Sequence, residues 1–422
     1  MACQSVLNKI NTSFADLSFI KDIAIPADLE LATNYGQEAS AASVGVASEQ
    51  MQNVWQAVEN LYKTRMYNMV GFSLRRQGQL IFNRSLGMAS GQYGELAAKA
   101  ATVDTPVCLF SASKVISALL LLKLEELGQL SMHHTISHYI PNFGAHGKKD
   151  LTLENLVSHR AKVPTLEFEN AEQLTDHDLI LSMLCDQKPH KKKQAYHAVT
   201  GGFIVGEIIQ IVTGQSIEKA LDKYFRKPLK MKYFTYGVAK KYRNKAAQNH
   251  FSGLPLPHPI SKLPKSILGF EFEEVIIRSN EELFQSSALP SANMYATSEE
   301  CTRFYQMILN DGSYDGVEVL KSETVRKALK GYILPGFDST LKIPMSFSRG
   351  GFMLNHKSVP LFGLKAKQAF GHLGFMNVMN WADPEREISV AVMTSGKPTV
   401  GPHLASLLNV GNTITRNFSK LS

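Results

Sequence analysis

Ser111 and Lys114 stand three residues apart in FSASKVISALLLLKLEELGQLS, the stretch from Phe110 to Ser131. Positions i and i+3 share one face of a helix, so the two side chains can touch there. A hydroxyl beside a lysine is either a solvated pair or a nucleophile beside its base. The second role needs an uncharged lysine, and a free lysine, with a pKa of about 10.4, is protonated at neutral pH. Burial or a neighbouring positive group must lower it. Val115, Ile116 and Leu119 follow Lys114, so this end of the helix is expected to point into a core.

Ser-x-x-Lys alone is a weak pattern. It starts four times here, at Ser18, Ser111, Ser216 and Ser339. Ser216 reads as a helix cap, Ser18 lies in a polar stretch and Ser339 in a loop-like one. Ser111 alone follows a strand-like segment, Val107 to Phe110, and precedes a long apolar helix. A hydroxyl at a helix N-terminus meets free N–H groups and a positive partial charge, which favour a developing oxyanion. On spacing alone the plainer reading, Ser111 as a cap and Lys114 as a surface residue, stays open.

The elements that must hold such a pair can be read along the chain. Residues 1–47 are polar and rich in small residues and are expected to form a partly disordered extension or linker. Ser48 is placed as the cap of a helix through EQMQNVWQAVENLYKTR, with Met51, Val54, Val58 and Leu61 on one face. Two runs of strand formers flank Arg76-Gln77-Gly78-Gln79 and predict a hairpin. Beyond Ser111 helices dominate. The first ends at Gly128, a second follows Thr152, a third covers 201–214, Ser216 caps a fourth, and a fifth runs near Glu299 to Asn310. Residues 236–290 read as irregular. Strand signals return in SRGGFMLNH, GFMNVMNWA and REISVAVMTS, and a last helix lies near Pro402 to Asn417.

Strands at both ends of the chain can share one antiparallel sheet only by meeting in space. The expected fold is α+β, with an antiparallel sheet of N- and C-terminal strands flanked by helices and a mostly helical inserted lobe. The domain would span 48–420, with a sheet lobe of 48–110 and 345–420 and a helical lobe of 111–344. Ligand sites favour such lobe boundaries.

With 422 residues, 44% apolar and 19% charged, the chain can bury a sizeable core. Its formal charge of +8 is mostly scattered, and no interleaving of basic and aromatic residues points to nucleic acid. Cys3, Cys108, Cys185 and Cys301 lie far apart, without a C-x-x-C for zinc or redox work. The first residues lack a basic region followed by an apolar run, and the run Val115 to Leu122 is too short to span a bilayer. A soluble, cytoplasmic protein without a transmembrane segment is expected. His133, His134 and His138 lack a carboxylate partner at helical spacing and read as surface residues. The motifs G-x-S-x-G, H-E-x-x-H and G-x-G-x-x-G are absent, so an α/β-hydrolase, a zincin and a Rossmann enzyme lack support.

FSASK, with its helix ending in LEELGQLS, resembles the serine β-lactamase and penicillin-binding-protein-like superfamily, which uses the serine of Ser-x-x-Lys as nucleophile. LTLENLVSHRAKVP, AYHAVTGGFIVGEIIQIVTGQSIEKAL, SALPSANMYATSEECTRFYQMILNDG and FGHLGFMNVMNWADPEREISVAVMTS resemble further family segments in order and spacing. The resemblance implies a β-lactamase/transpeptidase-like fold and a set of roles. Ser111 would be the nucleophile, and Lys114 with Tyr196, of the motif Tyr196-His197-Ala198, the proton-transfer pair. The backbone amides of Ser111 and Phe375 would form the oxyanion hole. His372 and Gly374, of the motif His372-Leu373-Gly374, would bind substrate. Tyr196 would need a cation such as Lys114 nearby to act as a phenolate, since a free phenol has a pKa of about 10.

Two positions depart from the lactamases and carboxypeptidases of that family. Ala198 stands where they usually have Asn, which contacts both the substrate amide and the lysine. His372 stands where penicillin-recognising members have the lysine of Lys-Thr-Gly, a fixed charge for a substrate carboxylate. Y-H-A with H-x-G resembles the esterase branch, the family VIII carboxylesterases. That implies a serine hydrolase acting on small acyl esters through a Ser111 acyl-enzyme, without metal or organic cofactor. Alternatives stay open: an amide-directed relative (a β-lactamase, D,D-peptidase or D-amino-acid amidase), an acyltransferase, or a non-catalytic, assembly-forming member. The basic run 188–193, KPHKKK, reads as a solvated loop or as a rim that steers anionic substrates. Nothing in the sequence speaks to oligomeric state.

Overall fold

The computed structural model describes residues 22–254, 265, 267–331, 335–375, 377–399, 401 and 403–421. The principal strands are β1 (Thr33–Tyr35), β2 (Met69–Arg76), β3 (Gln79–Ser90), β4 (Val107–Cys108), β5 (Thr235–Tyr236), β6 (Met294–Ala296), β7 (Met353–Leu354), β8 (Phe370–Gly374), β9 (Val378–Asp383) and β10 (Ile388–Thr394). The principal helices are α1 (Ser48–Tyr62), α2 (Ser113–Glu126), α3 (Thr200–Thr213), α4 (Ser298–Leu309) and α5 (His403–Asn417).

The main sheet is antiparallel, in the order β1-β3-β2-β10-β9-β8-β7. N- and C-terminal strands meet at β2 and β10, as the α+β reading requires. The β2–β3 turn places Gln77 at φ 49° and Gly78 at φ 80°. This is the positive-φ pair of a tight hairpin whose twist matches its strands. Every residue of β2 is buried because helices cover both faces. Val70, Phe72 and Leu74 alternate onto one face and join Val54, Val58 and Leu61 of α1 and Val410 and Ile414 of α5. Met69, with Ala391 and Met393 of β10, turns to the other core, which holds Phe304 and Met307 of α4.

Two local expectations differ. Residues 22–47 are not a free linker: β1 pairs with β3, and Glu38 holds Arg84 at 2.8 Å. A three-residue polar strand has no periodicity to read, and its order comes from distant partners. Ser48 is the first helical residue rather than the cap; the Gln50 side chain accepts the Ala47 N–H at 2.8 Å. Residues 1–21, the rest of the expected extension, lie outside the described residues.

Between the sheet halves the chain is mainly helical. Helix α2 is apolar nearly all round and is buried along almost its whole length, as a central helix must be. The segment read as irregular contains two short helices, Phe272–Arg278 and Glu282–Ser286, besides loops. A small antiparallel sheet, β4-β6-β5, leads into α2. Among the described residues no helix is long and apolar enough to cross a membrane.

One close approach ties these helices together. A Cβ on Gly202 of α3 would lie 2.4 Å from Ser291 Oγ and 2.5 Å from Ser291 N. Gly202→Ala should therefore push α3 from the 290–293 segment and cost about 1–3 kcal/mol, the usual penalty of overpacking. Chemical unfolding of the variant checks this, and an unchanged unfolding free energy would contradict it.

Candidate active site

Strand β4 ends at Cys108, and the chain turns through Leu109 and a single 3-10 turn, Phe110–Ala112, into α2. Ser111 thus lies just ahead of α2 rather than capping it. Ser113 locks the turn: its Oγ donates to Phe110 O at 2.6 Å and accepts the Met294 N–H at 3.1 Å. Phe110 adopts φ 45°, a conformation that costs an ordinary side chain on the order of 1–3 kcal/mol and persists only where its surroundings enforce it.

Lys114 Nζ lies 3.0 Å from Ser111 Oγ, 2.7 Å from Ala198 O and 2.9 Å from Ser291 O. Part of its stem is accessible, but the amine is enclosed, and burial pushes its pKa well below the ordinary lysine value. Among the described residues it forms no ion pair. Nζ donates to the two carbonyls and to Ser111 Oγ as placed; in the neutral form its lone pair accepts the Ser111 O–H instead. Alanine at this position does contact the lysine, because the acceptor is its main-chain oxygen and needs no side chain.

Tyr196 is buried beside the pair. Its ring lies 5.1 Å from Lys114 Nζ, and its hydroxyl hydrogen-bonds Ser111. Burial raises its pKa, the Ser111 bond lowers it in part, and the Asp338 carboxylate adds a smaller rise. Burial thus favours a neutral amine beside a neutral phenol. Taking both groups out of water disfavours charge on each.

His372 is fully buried. Its Nδ1 donates to Leu373 O at 2.6 Å, so Nε2 carries a lone pair, with no partner among the described residues. Burial, and then Lys114, lower its pKa to about 3. Gly374 is required by packing: a Cβ there would sit 2.0 Å from Leu109 O. This brings the end of β8 against the Ser111 turn. Phe375, at φ 32°, packs its ring 4.9 Å from that of Phe110, tilted by 31°. Neither the Ser111 nor the Phe375 N–H donates to an acceptor among the described residues. Two such amides near a hydroxyl have the chemistry to hold an oxyanion.

Phe272 stacks on Phe375 at 4.9 Å, and Phe284 lies 6.3 Å from Phe110. Both come from the segment read as irregular, and they give the two amides an apolar rim. Lys397, another buried amine, lies 5.1 Å from the far partner in this rim, the Phe110 ring. It donates to Thr394 O at 2.7 Å, and burial lowers its pKa to about 7.

Sequence reasoning missed three supporting residues. Ser291 supplies a carbonyl to Lys114. Asp338 Oδ1 accepts the N–H groups of Tyr196, Thr340 and Leu341, each at 3.0 Å, which anchors the tyrosine's backbone. His159 packs its ring 4.5 Å from Tyr196, and its Nδ1 accepts the His197 N–H at 3.1 Å. LVSHRAKVP held a signal for His159. Asp338, 142 residues from Tyr196 along the chain, had none. His133, His134 and His138 are exposed, as is nearly all of the 188–193 run.

The Beta-lactamase family model matches residues 56–410. The chain belongs to that family. Among its relatives, "Esterase/beta-lactamase LipL" of Mycobacterium tuberculosis (strain ATCC 25618 / H37Rv) is 25% identical over 311 residues, which is 69% of this chain and 70% of LipL. A penicillin-binding protein homologue from Caulobacter crescentus shares the fold with a TM-score of 0.73 and 22% identity, over 89% of this chain and 99% of its own. A family VIII carboxylesterase does so with a TM-score of 0.72 and 21% identity, over 87% and 98%. The mixed helix and antiparallel-sheet fold is that of the β-lactamase and penicillin-binding-protein neighbours.

The buried histidines carry a consequence for acid stability. His197 is lowered to about 3 by burial, like His372, and burial holds His159 well below the ordinary histidine value. In the unfolded chain each would titrate near 6.5. Below that pH the unfolded state binds more protons than the folded one. Stability is then complete above about pH 6.5 and falls as pH drops towards 3, by up to ~1.4 kcal/mol per unit for each histidine. Unfolding free energy measured in denaturant should be several kcal/mol lower at pH 5 than at pH 7.5. Equal values would contradict neutral burial of these rings.

Proposed function

We propose that this member of the Beta-lactamase family is a serine hydrolase that cleaves small acyl esters through a Ser111 acyl-enzyme. The observation that carries the ester reading is His372. A buried, uncharged imidazole with its Nδ1 committed to Leu373 O offers no fixed positive charge to a substrate carboxylate. The apolar rim of Phe110, Phe272, Phe284 and Phe375 favours an uncharged acyl group. LipL, whose name joins esterase and β-lactamase, is compatible with either chemistry.

In this reading Ser111 Oγ attacks the ester carbonyl while its proton passes to the neutral Lys114 amine. The Ser111 and Phe375 amides hold the tetrahedral oxyanion. As the C–O bond breaks, Tyr196 gives its phenol proton to the leaving alcohol and is reprotonated from the Lys114 ammonium. Water then attacks the acyl-enzyme, losing its proton along the same path, and Ser111 is released with the free acid. His372 and Gly374 shape the substrate side of the site, Gly374 through the close approach of β8.

Hydrolysis of p-nitrophenyl butyrate and of a chromogenic cephalosporin, by wild type and Ser111→Ala in parallel, tests the reading. Wild type should turn over the ester and leave the cephalosporin essentially untouched. Ser111→Ala should lose at least about 10³-fold in kcat/KM, as nucleophile removal typically does. Dominant Ser111-dependent cephalosporin turnover would overturn the argument from His372. Ester hydrolysis that survives in Ser111→Ala would overturn the nucleophile.

A further inference from the structure

A groove of about 930 Å³ opens on the helical lobe, and Ser111, Lys114 and Tyr196 do not line it. One wall is the helical run from Ile217 to Arg226. On it and its C-cap, Lys219, Lys223, Arg226 and Lys227 all line the groove. The second half of the run, Asp222–Arg226, is π-helical, a distortion frequent at functional sites. The other wall carries Lys232, Lys241 and Arg243.

Against these seven cations the lining contains two carboxylates, Glu218 and Asp222. Asp222 is taken by Arg226 and Lys227, and Arg243 pairs with Glu282 outside the groove. Lys219, Lys223, Lys232 and Lys241 form no ion pair among the described residues. The lysines of the second wall are held in place by aromatic rings. Lys232 Nζ lies 4.8 Å from the Tyr233 ring and 5.5 Å from that of Tyr242, and Lys241 Nζ lies 4.9 Å from the Tyr242 ring. The two rings stand edge-on at 5.1 Å.

Walls of mostly one sign across a concave space focus a positive field into it, and the seven cations outnumber the two lining carboxylates. The volume suits a small molecule. Lysine ammonium groups spread along two walls suit several separate negative charges better than one planar carboxylate. We propose that the groove binds a small molecule bearing clustered phosphates. The proposal is independent of the ester reading. The groove does reach the helix of the candidate site: its lining residue Tyr236 bonds Ser117 Oγ at 2.6 Å, and Ser117 lies one turn beyond Lys114 on α2.

Isothermal titration with inorganic tripolyphosphate, at low salt and on the full chain, tests it. Wild type should bind saturably. K219E/K223E should bind at least about tenfold more weakly, and so should K232Q/K241Q on the opposite wall. K188E/K191E, which makes the same charge change in the exposed 188–193 run, should stay within about twofold of wild type. Circular dichroism confirms that each variant is folded. Equal weakening in K219E/K223E and K188E/K191E would show binding that follows net charge and overturn the proposal. So would full affinity in both groove variants, or no saturable binding by wild type. Co-sedimentation of wild type with phosphatidylglycerol vesicles but no tripolyphosphate binding would assign the face to a membrane surface instead.

Discussion

The candidate site depends on an amine buried with no anion beside it among the described residues. A charged ammonium in that position would leave an uncompensated charge out of water, which costs several kcal/mol. The neutral form avoids that cost, and the cage around Lys114 has the donors and acceptors that form needs. Two carbonyls accept from Nζ, and the Ser111 hydroxyl, 3.0 Å away, is the third partner, able to donate to the lone pair of the neutral form. Each acceptor comes from a different part of the chain. Ala198 precedes α3, Ser291 precedes β6, and Ser111 belongs to the turn before α2. Gly202 lets α3 approach closely enough to bring the first two together.

The surroundings hold the same state. His159, His197 and His372 are all buried and neutral, so none adds a fixed charge beside the amine. Among the described residues the carboxylate that acts on the pair is Asp338; it acts on Tyr196 and raises the phenol's pKa rather than stabilising a phenolate. Lysine and tyrosine are therefore set apart in kind: the amine is free to take a proton and the phenol holds one to give. That division is what acylation and release of an alcohol ask for in turn.

The outline of this site was legible where chemistry and periodicity coincide. Ser111 and Lys114 stood out from three other Ser-x-x-Lys runs because an apolar helix follows them, and α2 is indeed buried almost throughout. Tyr196, Phe375, His372 and Gly374 rested on resemblance, since nothing in their local sequence brings them to Ser111. Main-chain partners stayed invisible. The Ala198 carbonyl could not be read from a side-chain comparison, and Ser291 and Asp338 reach the site through long-range loop packing. The same limit hid β1, a short polar strand ordered by its register with β3, and the aromatic rim, whose Phe272 and Phe284 lie in a segment without clear periodicity.

The central claim is that Lys114 is uncharged at neutral pH and serves Ser111 as its base. The rate at which a fluorophosphonate modifies Ser111, followed by intact mass from pH 5 to 11, reports on this without any choice of substrate. A neutral, caged lysine predicts a rate that levels off by neutral pH, with its half-maximum well below the free-lysine pKa of about 10.4, and that collapses in Lys114→Ala. A rate that still climbs through pH 10, or that is unchanged in Lys114→Ala, would contradict the account.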